Sequence, residues 1–247
     1  MMETILMIGA TGLVGPAQIR HFLKEYKVVV TYRTEEKIIE FRNNPNFTPI
    51  KVENLLAENA VDELIKQLEI HNIYPEYLVN MLCDGRWHRM NPDGLAPREC
   101  MLNHYIGNVV MPYELSFKLA NHPKTRLKKI INISSMYGIV PYDPNLYNNP
   151  ATETPLQYSL SKCAQIHLTK ELAIRFKDKG IMVNCVTLGG VNGRASDDFK
   201  KKFERVTPLK RMMEPEETVP AVDFLIKENS NYMTGQNIIV DGGRTVW

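Results

Sequence analysis

Residues 4–31 read TILMIGATGLVGPAQIRHFLKEYKVVVT, and no other segment constrains the architecture as tightly. Thr4–Ile8 is a short apolar run stopped by Gly9, the pattern of a buried strand. Gly9, Gly12 and Gly15 follow in the order G-x-x-G-x-x-G. Ala17–Tyr26 predicts a helix, with Pro16 in its first turn, where a missing N–H does no harm. Lys27–Thr31 is β-branched and predicts a second strand. Strand, glycine turn, helix and strand together form the setting in which such glycines bind a dinucleotide. Glycine lets the backbone turn tightly and approach a pyrophosphate, which then meets the unpaired N–H groups of the helix start.

The end of the second strand selects the cofactor. An acid there would bind the ribose 2′-hydroxyl, and a base would accept a 2′-phosphate. The run is Thr31-Tyr32-Arg33-Thr34, and Glu35 and Glu36 fall in the first turn expected of the next helix. Arg33 therefore favours NADP over NAD.

Working outward, further strands are expected at Phe47–Val52, Tyr77–Leu82, Leu127–Ile133, Ile181–Val186 and Ile238–Val240. Helices are expected at Ala57–Leu68, Glu99–Ala120, Gln157–Ala173, Ser196–Phe203 and Glu216–Glu228. The two alternate with no repeat, linker or low-complexity segment. That predicts an α/β fold of one domain over 1–247, a Rossmann-type doubly wound parallel sheet with helices on both faces. Asn54, just past the third strand, is placed to meet an adenine edge. Arg86 and Arg89, in the Gly- and Pro-rich segment 83–97, are candidates to grip an anionic substrate.

With 247 residues, 44% hydrophobic and 23% charged, the chain can bury one sizeable core. A formal net charge of +2 gives no field that would argue for nucleic acid or an acidic membrane as partner. Lys200–Lys202 reads as a solvated helix face. Cys83, Cys100, Cys163 and Cys185 lack the paired spacing of a zinc site, so no metal is expected. They read as reduced, buried or half-buried thiols of a cytoplasmic protein. The first residues carry no basic leader and no apolar run of membrane length.

The chemistry converges on the helix QYSLSKCAQIHLTKELA, residues 157–173. Tyr158 and Lys162 are four apart and share a face. A free phenol titrates near ~10, too high for acid–base work at neutral pH, and a neighbouring ammonium lowers it. Ser135 ends the fifth strand, on the same sheet edge as the glycine turn. A hydroxyl beside a Tyr–Lys pair suits carbonyl reduction or alcohol oxidation. Tyr158 would pass the proton, Lys162 would lower its pKa and hold the ribose, and Ser135 would bond the reacting oxygen. Asn103 could anchor a water relaying protons from Lys162.

These motifs resemble the short-chain dehydrogenase/reductase family over essentially the whole chain. They are INISS with Ser135, Y-x-x-x-K at Tyr158 and Lys162, Asn103 in LNHYIGN, IMVNCV at 181–186, PLKRMMEPEE at 208–217 and TGQNIIVDGG at 234–243. The resemblance implies NAD or NADP, a catalytic set of Asn103, Ser135, Tyr158 and Lys162, and a homotetramer or homodimer. The cofactor contacts it suggests are Gly9, Thr11, Gly12, Leu13, Val14, Gly15, Arg33, Asn54 and Leu55, then Asn80, Met81, Tyr158, Lys162, Gly189 and Val191. Substrate contacts fall on Ser135, Tyr137 and Tyr158.

The chain also departs from the family pattern. Asn80-Met81-Leu82-Cys83 replaces an asparagine-alanine-glycine motif, Leu188-Gly189-Gly190 replaces a Pro-Gly, and Gly193 stands near a usual threonine. An insert at about 136–157 is rich in Pro, Asn and Tyr, and a substrate lid is expected at about 190–213. With SSMYG and GGVNGR, the insert resembles oxidoreductases of flagellin-modification and surface-polysaccharide pathways. That implies a sugar phosphate or nucleotide sugar, with Tyr142, Asp143, Asn145, Asn148 and Asn149 available to its hydroxyls. Rival readings are a 3-oxoacyl or small-ketone reductase, a non-catalytic NADP-sensing protein, and an epimerase or dehydratase.

Overall fold

The computed structural model describes residues 2–227 and 230–247. Seven parallel strands form one sheet in the order β3-β2-β1-β4-β5-β6-β7. They are β1 (Thr4–Ile8), β2 (Lys27–Tyr32), β3 (Phe47–Lys51), β4 (Tyr77–Asn80), β5 (Lys129–Ser135), β6 (Met182–Leu188) and β7 (Asn237–Val240). The chain runs outward from β1 to β3, then returns to β4 on the other side of β1. Strand order reverses there, and a crevice opens beyond the carboxyl ends of β1 and β4.

The strands bury both faces, as the apolar runs require. Ile5, Met7, Val28, Val30 and Ile131 face α1 (Gly15–Phe22) and α8 (Val219–Ile226). Leu6, Ile8, Val29, Leu78 and Ile130 face α2 (Ala60–Ile70), α4 (Met111–Asn121) and α6 (Leu156–Arg175). Alternate residues of one strand thus serve opposite layers. A third, smaller core of Met136, Leu146 and Phe203 packs the insert against α7 (Asp197–Arg205) above the sheet edge. Among the described residues no helix is long and apolar enough to cross a membrane.

Four elements differ from expectation. Glu35 and Glu36 begin a single 3-10 turn (Glu35–Lys37), followed by a second (Ile39–Phe41), rather than a helix. The helix expected at Glu99–Ala120 is α3 (Arg98–Tyr105), a π turn (Ile106–Val110) and α4. The insert is not an open loop. It holds two 3-10 turns (Met136–Gly138, Pro144–Leu146) and the short α5 (Pro150–Glu153). The helix expected to Glu228 ends at Ile226, and Glu228 itself lies outside the described residues.

Candidate active site

The glycine turn shows why each glycine is there. Gly9 has φ +78°, and a Cβ on it would lie 2.6 Å from Leu82 Cα. A Cβ on Gly15 would drive into the Ala10 carbonyl, so Gly15 serves close packing and does not line the crevice. Gly12 differs. It lacks a positive φ, and the nearest atom to its absent Cβ is the Gly9 oxygen at 3.5 Å. Its bareness therefore opens space toward the groove. Helix α1 starts with Pro16 in its first turn, no acidic side chain and no side-chain cap. Its free N–H groups and partial positive charge suit an anion.

The crevice has two halves. The outer half, about 950 Å³, is lined by Thr11, Arg33, Asn54, Leu55 and Asp84 among others. The inner half, about 810 Å³, is lined by Leu13, Val14, Met81, Ser135, Tyr158 and Lys162, with Gly189 and Val191 on its far wall. An elongated groove running from the end of β2 to the Tyr–Lys pair fits a dinucleotide. The open space at Gly12, midway along it, fits a diphosphate.

Ser135 is the last residue of β5, and Tyr158 and Lys162 lie on successive turns of α6. The approach is close. A Cβ on Gly138 would meet the Lys162 carbonyl carbon at 2.9 Å, and Ser134 Oγ donates to the Lys162 oxygen at 2.9 Å. The Ser135 hydroxyl faces the Tyr158 phenol closely enough to favour its ionised form. Ser135 Oγ also accepts from the Tyr137 N–H at 3.3 Å. Lys162 Nζ donates to the Ile133 carbonyl at 2.8 Å and to Gln165 Oε1 at 3.0 Å. Burial drives its pKa down from 10.5 to about 8.

The Tyr158 phenol departs from expectation. Burial raises its pKa, and the neighbouring Ser135 hydroxyl only partly opposes this. Lys162 does not offset the burial because its ammonium lies 5.9 Å from the Tyr158 ring centroid and is engaged by the Ile133 carbonyl and Gln165.

Two histidines that sequence reasoning passed over back the Tyr158 ring. His88 stacks on His104 at 5.0 Å and meets Tyr158 at 5.1 Å. Burial lowers both imidazole pKa values, His104 to about 4, so both are neutral at pH 7. Gln157 Nε2 donates to the carbonyls of Trp87 (2.9 Å) and Arg89 (3.0 Å), fastening this turn beside Tyr158.

Other expected residues are placed differently. Asn103 is half-buried on α3 and makes no side-chain hydrogen bond among the described residues, whereas Asn108 is buried in the π turn and donates to Ser161 Oγ at 2.9 Å. Asn80 points into the sheet, donating to Asn132 at 2.9 Å, because its strand position is a buried one. Tyr137 bonds Tyr147 at 2.6 Å and stacks on Tyr142 at 3.8 Å. Arg86 is held by Asp84 and Arg89 by Glu99, so both are already paired.

The insert's polar groups likewise bond to near neighbours. Asp143 accepts from Asn145 and Arg244, Asn148 accepts from Lys202, the Asn149 N–H donates to Glu153, and Tyr142 donates to the Pro155 carbonyl. All four cysteines are free thiols; Cys100 and Cys185 are buried, while Cys83 and Cys163 are exposed rather than half-buried.

The chain is similar to known proteins along its whole length. The family profile described as Enoyl-(Acyl carrier protein) reductase matches residues 117–245. A 3-oxoacyl-[acyl-carrier-protein] reductase FabG of Rickettsia bellii is 30% identical over 98% of this chain and 96% of its own length. Glucose 1-dehydrogenase 2 of Bacillus subtilis is 28% identical over 99% of this chain and 95% of its own. The post-translational flagellin modification protein A of Campylobacter coli is 28% identical over 58% of this chain and 55% of its own. The crystal structure of a short chain dehydrogenase from Leptospira borgpetersenii with bound NAD+ superposes with TM-score 0.86 at 27% identity, covering 99% of this chain and 93% of that one.

Proposed function

Because this chain belongs to the short-chain dehydrogenase/reductase family and is an NAD(P)-dependent oxidoreductase, we propose that it interconverts a secondary alcohol and a ketone on a sugar derivative, with NADP preferred. The observation that carries the reading is the Ser135–Tyr158 hydroxyl pair at the inner end of the groove, with Lys162 one turn on. When bound, the nicotinamide nucleotide supplies or accepts the hydride. The chain's own groups handle the proton and the position. Ser135 and Tyr158 hold the reacting oxygen between two hydroxyls, and Tyr158 gives or takes the proton there. Lys162, still mostly protonated at neutral pH, holds the ribose. Asn108, rather than Asn103, is the asparagine that braces this helix, through Ser161.

Arg33 and Lys37 line the outer rim and no acid ends β2, which favours a 2′-phosphate. A sugar substrate is supported by the glucose dehydrogenase and flagellin-modification relatives and by the tyrosines clustered at Tyr137, Tyr142 and Tyr147. The 3-oxoacyl reading rests on the FabG relative, similar along the whole chain. Half-exposed Leu102 and Tyr105 on α3, with Leu156 and Leu160 on α6, support self-association as a dimer or tetramer.

The test is fluorescence titration with NADPH and NADH, wild type against Arg33→Ala, followed by a panel of keto-sugar phosphates, nucleotide sugars and 3-oxoacyl thioesters. We expect tight NADPH binding, weakened more than NADH binding by the substitution, and loss of signal with a keto-sugar. Equal effects on both nucleotides would refute the NADP assignment, and turnover of the thioester alone would refute the sugar.

A further inference from the structure

The crevice's two halves share four lining residues, Gly9, Gly12, Cys83 and Arg194. Only Arg194 carries a charge. Among the described residues Arg194 has no hydrogen bond or ion pair, although it is exposed over the crevice. The two carboxylates lining the outer half are already paired, Asp84 with Arg86 and Arg33 and Glu53 with Lys51. The Arg194 charge is felt on both sides of the junction: burial raises the Cys83 thiol and Arg194 opposes this in small part, while burial lowers His88 and Arg194 adds to it.

Backbone geometry explains how the arginine gets there. The segment after β6 is pinned at Asn192, whose N–H donates to the Met213 carbonyl at 2.7 Å and whose Nδ2 donates to Glu214 at 3.0 Å. Gly193 then adopts φ +128°, and a Cβ on it would lie 2.7 Å from Leu13 Cδ1. A side chain at 193 would have to push the Leu13 side chain aside and adopt a backbone conformation that L-residues rarely take. With glycine there, the strap crosses directly over Leu13 and delivers Arg194 opposite Gly12.

We propose that Arg194 is a diphosphate clamp, closing over the dinucleotide from the side opposite the glycine turn and α1. This rests on the dinucleotide reading of the groove given above. A ligand filling both halves must run its linker through the junction. For a dinucleotide that linker is a diphosphate, doubly negative at neutral pH. Backbone N–H groups meet it from one side, and a guanidinium with its fork of donors meets it from the other. Arginine on the strap thus links cofactor binding to the position of the segment that covers the inner half.

The experiment is titration of wild type, Arg194→Ala and Arg194→Lys with NADPH, NADH, ADP-ribose and adenosine, with thermal melting as a folding control. Loss of one charge-assisted contact predicts about 10- to 100-fold weaker binding of all three diphosphates to Arg194→Ala. Lysine should recover part of the loss, and adenosine binding should change less than about twofold. Loss for NADPH alone would place Arg194 on the 2′-phosphate and overturn the proposal. Unchanged nucleotide binding with a raised substrate KM would place it on the substrate and overturn it too. A wild-type protein that binds no nucleotide would instead remove the dinucleotide reading itself, and the clamp with it.

Discussion

Gly9→Ala and Gly12→Ala should separate stability from binding within four residues. At Gly9 the new side chain meets two obstacles. Its φ of +78° disfavours an L-residue by about 1–2 kcal/mol. Its Cβ would sit 2.6 Å from a backbone atom, Leu82 Cα, which no rotamer change can move, so overpacking adds roughly 1–3 kcal/mol. The total of about 2–5 kcal/mol corresponds to a Tm lower by roughly 5–20 °C in a domain of this size. At Gly12 the nearest neighbour is 3.5 Å away and the backbone is not left-handed. Alanine there should leave Tm within about 3 °C, because a stiffer unfolded chain offsets small losses. Its methyl, however, projects where the diphosphate must approach, and NADPH affinity should fall at least about tenfold, since each tenfold is only about 1.4 kcal/mol of lost contact. Calorimetric melting and fluorescence titration read the two effects. A Gly9→Ala protein melting like wild type, or a Gly12→Ala protein binding NADPH like wild type, would refute this account of the turn.

Lys162 gives a pH prediction. Its folded pKa is depressed to about 8 from 10.5, so keeping it charged in the fold is unfavourable below about pH 8, and the penalty fades as pH rises to about 10.5. The Tm difference between Lys162→Met and wild type should therefore shift in favour of wild type across that window; a constant difference would contradict it. Cys83 lines both halves of the groove and is exposed, while Cys163 is exposed on α6. Saturating NADPH should slow alkylation of Cys83 by about tenfold or more and leave Cys163 unchanged, a loss of access equal to about 1.4 kcal/mol; equal rates at Cys83 with and without nucleotide would exclude the groove as the binding site. Mass spectrometry of the labelled peptides distinguishes the two thiols.

Elements governed by local pattern were legible in the sequence. Thr4–Ile8, the glycine turn and Lys27–Tyr32 follow from an apolar run, bare residues and β-branched spacing. The Tyr158–Lys162 helix and Ser135 were legible for the same reason. The π turn was not. Apolar residues continue across Ile106–Val110, so one extra residue per turn leaves no mark on the hydrophobic pattern, yet it reorients the helix and brings Asn108 to Ser161. Both asparagines stand in LNHYIGN, and only that turn distinguishes them. The insert misled for another reason. Its Asn and Asp residues look available, but Arg244 and Lys202, which bond Asp143 and Asn148, come from distant parts of the chain. The effect of Lys162 on Tyr158 was misjudged because spacing on a helix does not reveal burial or the carbonyl of Ile133. Arg194 carried a signal in VNGR, a glycine where bulk is usual followed by an arginine, but its meaning depends on the strap crossing Leu13.

Tyr158→Phe tests the central claim most directly. The change removes one oxygen and keeps the ring that packs on His88. NADPH binding should stay within about twofold of wild type, while the rate of NADPH oxidation with the best ketone of the panel should fall about 10²- to 10⁴-fold, the usual contribution of a positioned proton donor. A phenylalanine enzyme that binds NADPH and turns over at the wild-type rate would contradict the account.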